Sequence, residues 1–79
     1  MLTQLQIENA KALLSVLPES NWNRTHDDHW FTSYSGSEYS LFPESGRVDT
    51  CEKFIVHVML KTGDGGSFIC DRSEVIQQL

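Results

Sequence analysis

Six consecutive residues, Thr25-His26-Asp27-Asp28-His29-Trp30, hold the densest group of chemically active side chains in this 79-residue chain. Two imidazoles and two carboxylates are ligands that a zinc ion accepts. A histidine beside an aspartate is also the pairing of a general base with the group that orients it. Spacing limits both chemistries. His26 and His29 are three apart, which puts them on one face of a helix but on opposite faces of a strand. The segment reads as a loop running into a strand, so only His26 with Asp28, or Asp27 with His29, converge there. A zinc site needs three or four ligands, and a further one would come from His57, Cys51, Cys70 or a distant acid. The plainer reading is a polar loop whose aspartates cap turns. No metal and no cofactor is therefore assigned, and a metal-dependent enzyme using His26, Asp27, Asp28 and His29 stands as an alternative.

The remaining motifs assemble less. No Gly-x-Ser-x-Gly elbow is present, and Thr62-Gly-Asp-Gly-Gly66 lacks the lysine and the following helix of a phosphate loop. Asn23-Arg24-Thr25 matches a glycosylation sequon, but no secretory signal is visible, so it reads as a chance match. If the Gly-Asp-Gly turn closes a hairpin, Cys70 falls opposite a residue near 57–59. Cys51 then lies on the order of 20 Å further along, beyond the reach of a disulfide. Two free thiols are expected, as suits a reducing compartment. The reading is of a protein that is not an enzyme.

The elements that position these residues follow from periodicity and punctuation. Thr3-Gln4-Leu5-Gln6 has the form of a capping box. Behind it Ile7, Ala10, Leu13, Leu14 and Leu17 share a helical face, and Pro18 stops the helix, predicted over 4–16. Residues 18–28 read as a connecting loop. Residues 29–34 and 38–42 read as two strands joined by a turn at Ser35-Gly36-Ser37. After a turn at Glu44–Arg47, a third strand lies within 48–61 and is strongest over 54–60. Both its faces are apolar apart from His57, which places it inside the sheet. Asp64-Gly65 suits a tight turn, and a fourth strand follows over 67–70. Residues 71–74 supply cap residues for a short final helix over 75–79. The expected fold is a single α+β domain over residues 1–79. Its N-terminal helix packs on a four-stranded antiparallel meander, with a short C-terminal helix after it.

One helix covers one face of such a sheet. Trp22, Trp30, Phe31, Tyr34, Tyr39, Phe42, Phe54 and Phe68 are more aromatic residues than one small core needs, so alternation must send some to the other face. Trp22, in a polar loop, either plugs an end of the sheet or meets a partner. Trp30 reads as core.

Charge points the same way. From Glu19 to Glu52 seven acids face two arginines, while the rest of the chain holds four acids and four bases, so the middle carries the whole net charge of -5. Such a surface repels phosphate, and no basic stripe offsets it, so direct nucleic-acid binding is not expected. No apolar run approaches the roughly 20 residues that cross a bilayer. A cytoplasmic location and a protein partner with a basic surface are expected. In size and charge alone the chain resembles stand-alone inhibitor proteins, such as phage anti-defence and immunity proteins, and the likeness covers no motif. The expected function is that of a small acidic binding module, an inhibitor or adaptor of a larger protein. Its expected contacts are Trp22, Asp27, Asp28, Glu38, Tyr39 and Glu44. A structural subunit that dimerises through its sheet is the other alternative, since the same aromatics suit a homodimer.

Overall fold

The structure is a computed structural model that describes residues 1–24 and 28–76. The first helix, α1 (Gln4–Val16), begins where the capping box places it. The Thr3 amide donates to the Gln6 side chain at 2.8 Å, and the Gln6 amide donates to Thr3 Oγ1 at 3.1 Å. Leu17 is extended, as a residue before proline must be, and the helix ends there.

Four strands follow: β1 (Trp30–Tyr34), β2 (Ser37–Pro43), β3 (Lys53–Met59) and β4 (Gly65–Asp71). They form one antiparallel sheet in the order β1-β2-β3-β4, the expected meander. The β1–β2 connection is only Ser35-Gly36, both at positive φ (54° and 85°), as the tightest hairpin turns require. The β3–β4 turn is centred two residues earlier than the Gly63-Asp64-Gly65 turn read from the sequence. Leu60 N donates to Asp64 O and Gly63 N to Leu60 O, so residues 60–64 form the turn and Gly65 and Gly66 join the strand. Cys70 therefore pairs with Phe54, three residues beyond Cys51, and not with a residue near 57–59. The thiols are nearer in the fold than the later turn implied. Both are free and buried.

Gly66 has a packing reason to be glycine. A Cβ there would sit 3.2 Å from Leu2 Cγ, where the start of the chain crosses β4. Leu2 thus joins Leu13 and Leu17 against a core built on Ala10, Leu14, Trp30, Tyr39, Leu41, Phe54, Val56 and Val58. The helical face is the predicted one except at Ile7, which is half-buried and lies outside that cluster.

The last helix, α2 (Arg72–Val75), starts one turn earlier than expected. Asp71 is its N-cap, and Glu74 accepts from the Asp71 amide at 2.9 Å. Asp71-x-x-Glu74 is the start signal itself. Val75, taken as the first helical residue, is the last and is fully buried. Lys11 Nζ meets Glu74 Oε1 at 3.2 Å and ties α1 to α2. The amide of Asp71, with Lys11 second, holds the Glu74 carboxyl below its usual range.

Arg72 fixes the loop between β2 and β3. Its guanidinium donates to the carbonyls of Val48 (3.1 Å), Asp49 (3.0 Å) and Cys51 (2.9 Å), and lies 5.0 Å over the Phe54 ring. A cation that satisfies three turn carbonyls and covers an aromatic core residue joins the end of the sheet to α2.

Candidate functional site

Alternation along β2 sorts the sheet into two unlike faces. Ser37, Tyr39 and Leu41 point to α1 and are buried, while Glu38, Ser40 and Phe42 point away. The strand register extends the outer face into rows. Phe42 pairs with Ile55 and Ile55 with Ile69, which makes an apolar row across three strands. His29 continues it at the β1 end, with its ring stacked 5.1 Å from Phe42 and 6.0 Å from Phe31. The next row is Phe31, Ser40, His57 and Ser67, and the one after it pairs Glu38 with Met59. Nothing in the described chain covers these residues. Phe31 and Phe42 are 37 % exposed, Met59 46 % and Ile69 60 %. Apolar residues gathered on one open face differ from scattered surface leucines and make this face the candidate site.

The charges lie at the ends of this patch. Lys53 Nζ meets Asp71 Oδ1 at 2.6 Å, and this bond raises the Lys53 pKa. Its charge is thereby matched within the face. Glu38 and Glu44 are exposed, and neither contacts a cation among the described residues.

The predicted contact residues divide. Glu38 is on the outer face and Glu44 follows in the turn after β2, next to the ladder, where its amide donates to Lys53 O. Asp28 is exposed, and its Oδ1 lies 3.3 Å from His29 Nδ1 at the edge of the apolar row. Tyr39 is elsewhere: at 5 % exposure it sits under α1, because its odd position on β2 faces the core. Trp22 is buried in the core cluster, the plug of the two expectations. Asp27 and His26 lie outside the described residues, so the four-residue His-Asp cluster is placed only at Asp28 and His29. Among the described residues no three histidines, cysteines or acids gather as metal ligands.

Two other constellations bear on chemistry. His57 stands between Ser40 and Ser67 in the ladder, but it donates to and accepts from neither among the described residues, and no carboxylate orients it. A base–nucleophile pair would require that contact. At the other end of the core a cleft of about 960 Å³ is lined by Trp22, Arg24, Trp30, Arg72, Ile76 and the turn at 49–52, among others. Its tryptophans and arginines are engaged within the fold. Arg24 stacks 4.1 Å over Trp30, both tryptophans are buried, and Arg72 is committed to the turn carbonyls. Burial pushes the Cys70 thiol up to about 11, away from nucleophilic use at neutral pH.

Sequence reasoning reached the open face but did not place Ile55, His57, Met59 or Ile69 on it. Alternation was the available signal, hidden for Ile55, His57 and Met59 because β3 is apolar on both faces. Architecture and site together define a small α+β domain with one covered and one open sheet face. Compared with protein-family models, with curated proteins and with solved structures, the chain matches none of them. Geometry alone therefore carries the functional reading.

Proposed function

We propose that this chain is a non-catalytic protein-binding module, an inhibitor or adaptor that docks on a larger protein through the outer face of its sheet. One observation carries the reading. The chain completes a core on one face of the sheet and leaves a row of aromatic and aliphatic side chains open on the other, near Glu38 and Glu44, which form no direct ion pair among the described residues. The outer face carries one apolar row, Phe42, Ile55 and Ile69, beside the more polar row of Ser40, His57 and Ser67. That composition suits contact with another surface better than enclosure of a small substrate. A cytoplasmic protein with a basic docking surface remains the expected partner.

The experiment is capture from the native host, with wild type and with the double variant Phe42→Ser, Ile69→Ser as baits. The same specific partner should be retained by wild type and lost by the variant, while circular dichroism shows both folded. Retention of that partner by a folded variant would overturn the assignment of the face.

A further inference from the structure

Resting on that reading, we propose that the element docked on the outer face is a basic amphipathic helix of the partner, laid along β2, and not a second copy of this chain. The argument is one of charge, spacing and backbone chemistry.

Glu38 points outward on β2, and Glu44, six residues on, lies exposed in the turn that follows the strand, where its amide still pairs with Lys53 O; Ser40 and Phe42 lie outward between them. At about 3.4 Å per residue they are roughly 20 Å apart. The space between is the apolar patch centred on Phe42 and Ile55. An occupant that buries this patch dries the surroundings of both carboxylates, and a carboxylate losing water must gain a cation. A second copy offers the same acids again. Lys53, beside the apolar row, is already held by Asp71, and each chain carries a net charge of -5. A partner with lysine or arginine near both ends of an apolar stripe satisfies what a second copy leaves unmatched.

Backbone chemistry selects a helix. The central strands of the sheet already pair their amides and carbonyls within it. An extended segment lying flat on the face would bury its own backbone groups against side chains, with no partner for them. A helix satisfies its backbone internally. At 1.5 Å per residue a span of 20 Å is about 13 residues, nearly four turns, with apolar residues at helical spacing over Phe42 and Ile55.

The test uses the whole chain and two synthetic helical peptides of identical leucine, alanine and lysine content. One has lysines near both ends of the apolar stripe, about 13 residues apart. The other has the same lysines gathered at its middle. Binding is followed by proton–nitrogen correlation spectra of the labelled protein. The end-charged peptide should bind about tenfold tighter, equivalent to about 1.4 kcal/mol. The shifts should centre on the amides of Ser40, Phe42, Ile55 and Ile69. The double variant Glu38→Gln, Glu44→Gln should remove the preference and keep weak binding of both peptides. Equal affinity of the two peptides, shifts on the α1 side of the sheet, or binding by neither would overturn the proposal. Concentration-dependent shifts at Phe42 and Ile69 in the protein alone would also overturn it, assigning the face to a second copy. If charge placement makes no difference while Phe42→Ser, Ile69→Ser still loses the native partner, the helix proposal fails and the docking role stands.

Discussion

A residue kept for a partner differs in its folding energetics from one kept for the core, and two conservative substitutions on facing sides of the sheet separate them. Ile69 is on β4, 60 % exposed on the outer face, and Val56 is on β3, fully buried under α1. Fully burying an isoleucine stabilises a fold by about 1.5–3 kcal/mol. At 40 % burial Ile69 realises roughly 0.6–1.2 kcal/mol of that. Threonine keeps the β-branch and strand preference, so Ile69→Thr should cost less than about 1 kcal/mol. Val56→Thr leaves no cavity, because the two side chains are nearly isosteric. It does place a hydroxyl between Leu41 and Phe68, its neighbours in the ladder. Burying a hydroxyl without a partner costs about 1–3 kcal/mol, so about 2 kcal/mol is expected there. Urea denaturation reads both from the shift in midpoint at unchanged slope. A cost for Ile69→Thr equal to that of Val56→Thr would refute the reasoning, because it would mean that the outer face is already dry in the isolated protein. Repetition at several protein concentrations would then reveal whether a second copy covers it.

Three further outcomes follow from the structure. Arg72→Ala removes charged donors from two half-buried carbonyls, at about 1.5 kcal/mol each, and a cation from the Phe54 ring. It should cost about 3 kcal/mol by chemical denaturation, and Arg72→Lys should restore less than half, since one ammonium cannot reach three carbonyls. Ser35→Asn should raise stability by about 0.5–1 kcal/mol in the same assay, because Ser35 holds φ 54° in a two-residue hairpin turn where Asn-Gly is preferred. Burial raises the Cys70 pKa from 9.0 to about 11. Ionisation is thus harder in the folded chain than in the unfolded one, so stability is unaffected below pH 9 and falls as pH rises from 9 toward about 11. Urea midpoints across that range should decline in wild type by more than in Cys70→Ala, and parallel curves would contradict the burial of the thiol.

How far the fold could be read in advance depended on the range of each signal. The capping box at Thr3–Gln6 and Pro18 are local, and α1 has the bounds they imply. Ser35-Gly36 is equally local and closes the first hairpin where expected. Where two local signals overlapped, the position of an element slipped. Gly63-Asp64-Gly65 suggested the centre of the turn, yet Gly65 and Gly66 lie in β4, where Leu2 crosses the strand at Gly66. That contact joins the two ends of the chain and leaves no trace in the local pattern. Asp71–Glu74 held a start signal that places α2 one turn earlier than the following apolar residues suggested. The three carbonyls bound by Arg72 are tertiary contacts, more than 20 residues away in the chain, and no spacing rule reveals them.

The candidate site was legible as a surplus and illegible as a position. Eight aromatic residues are too many for one covered face, which implied an open one, but alternation had to be anchored before Phe42 could be told from Tyr39. The Thr25–Trp30 stretch shows the same limit. Its charges suggested a site of their own, whereas the described part contributes Asp28 and His29 to the end of a larger apolar row.

The most direct test of the docking surface is site-specific photocrosslinking in the native host. A benzophenone amino acid is placed in turn at Phe42, at Ile69 and at Leu5, which is more accessible than either and lies on α1, away from the outer face. The docking account predicts one discrete crosslinked partner from Phe42 and Ile69 and none from Leu5. Crosslinking from Leu5 alone would contradict it.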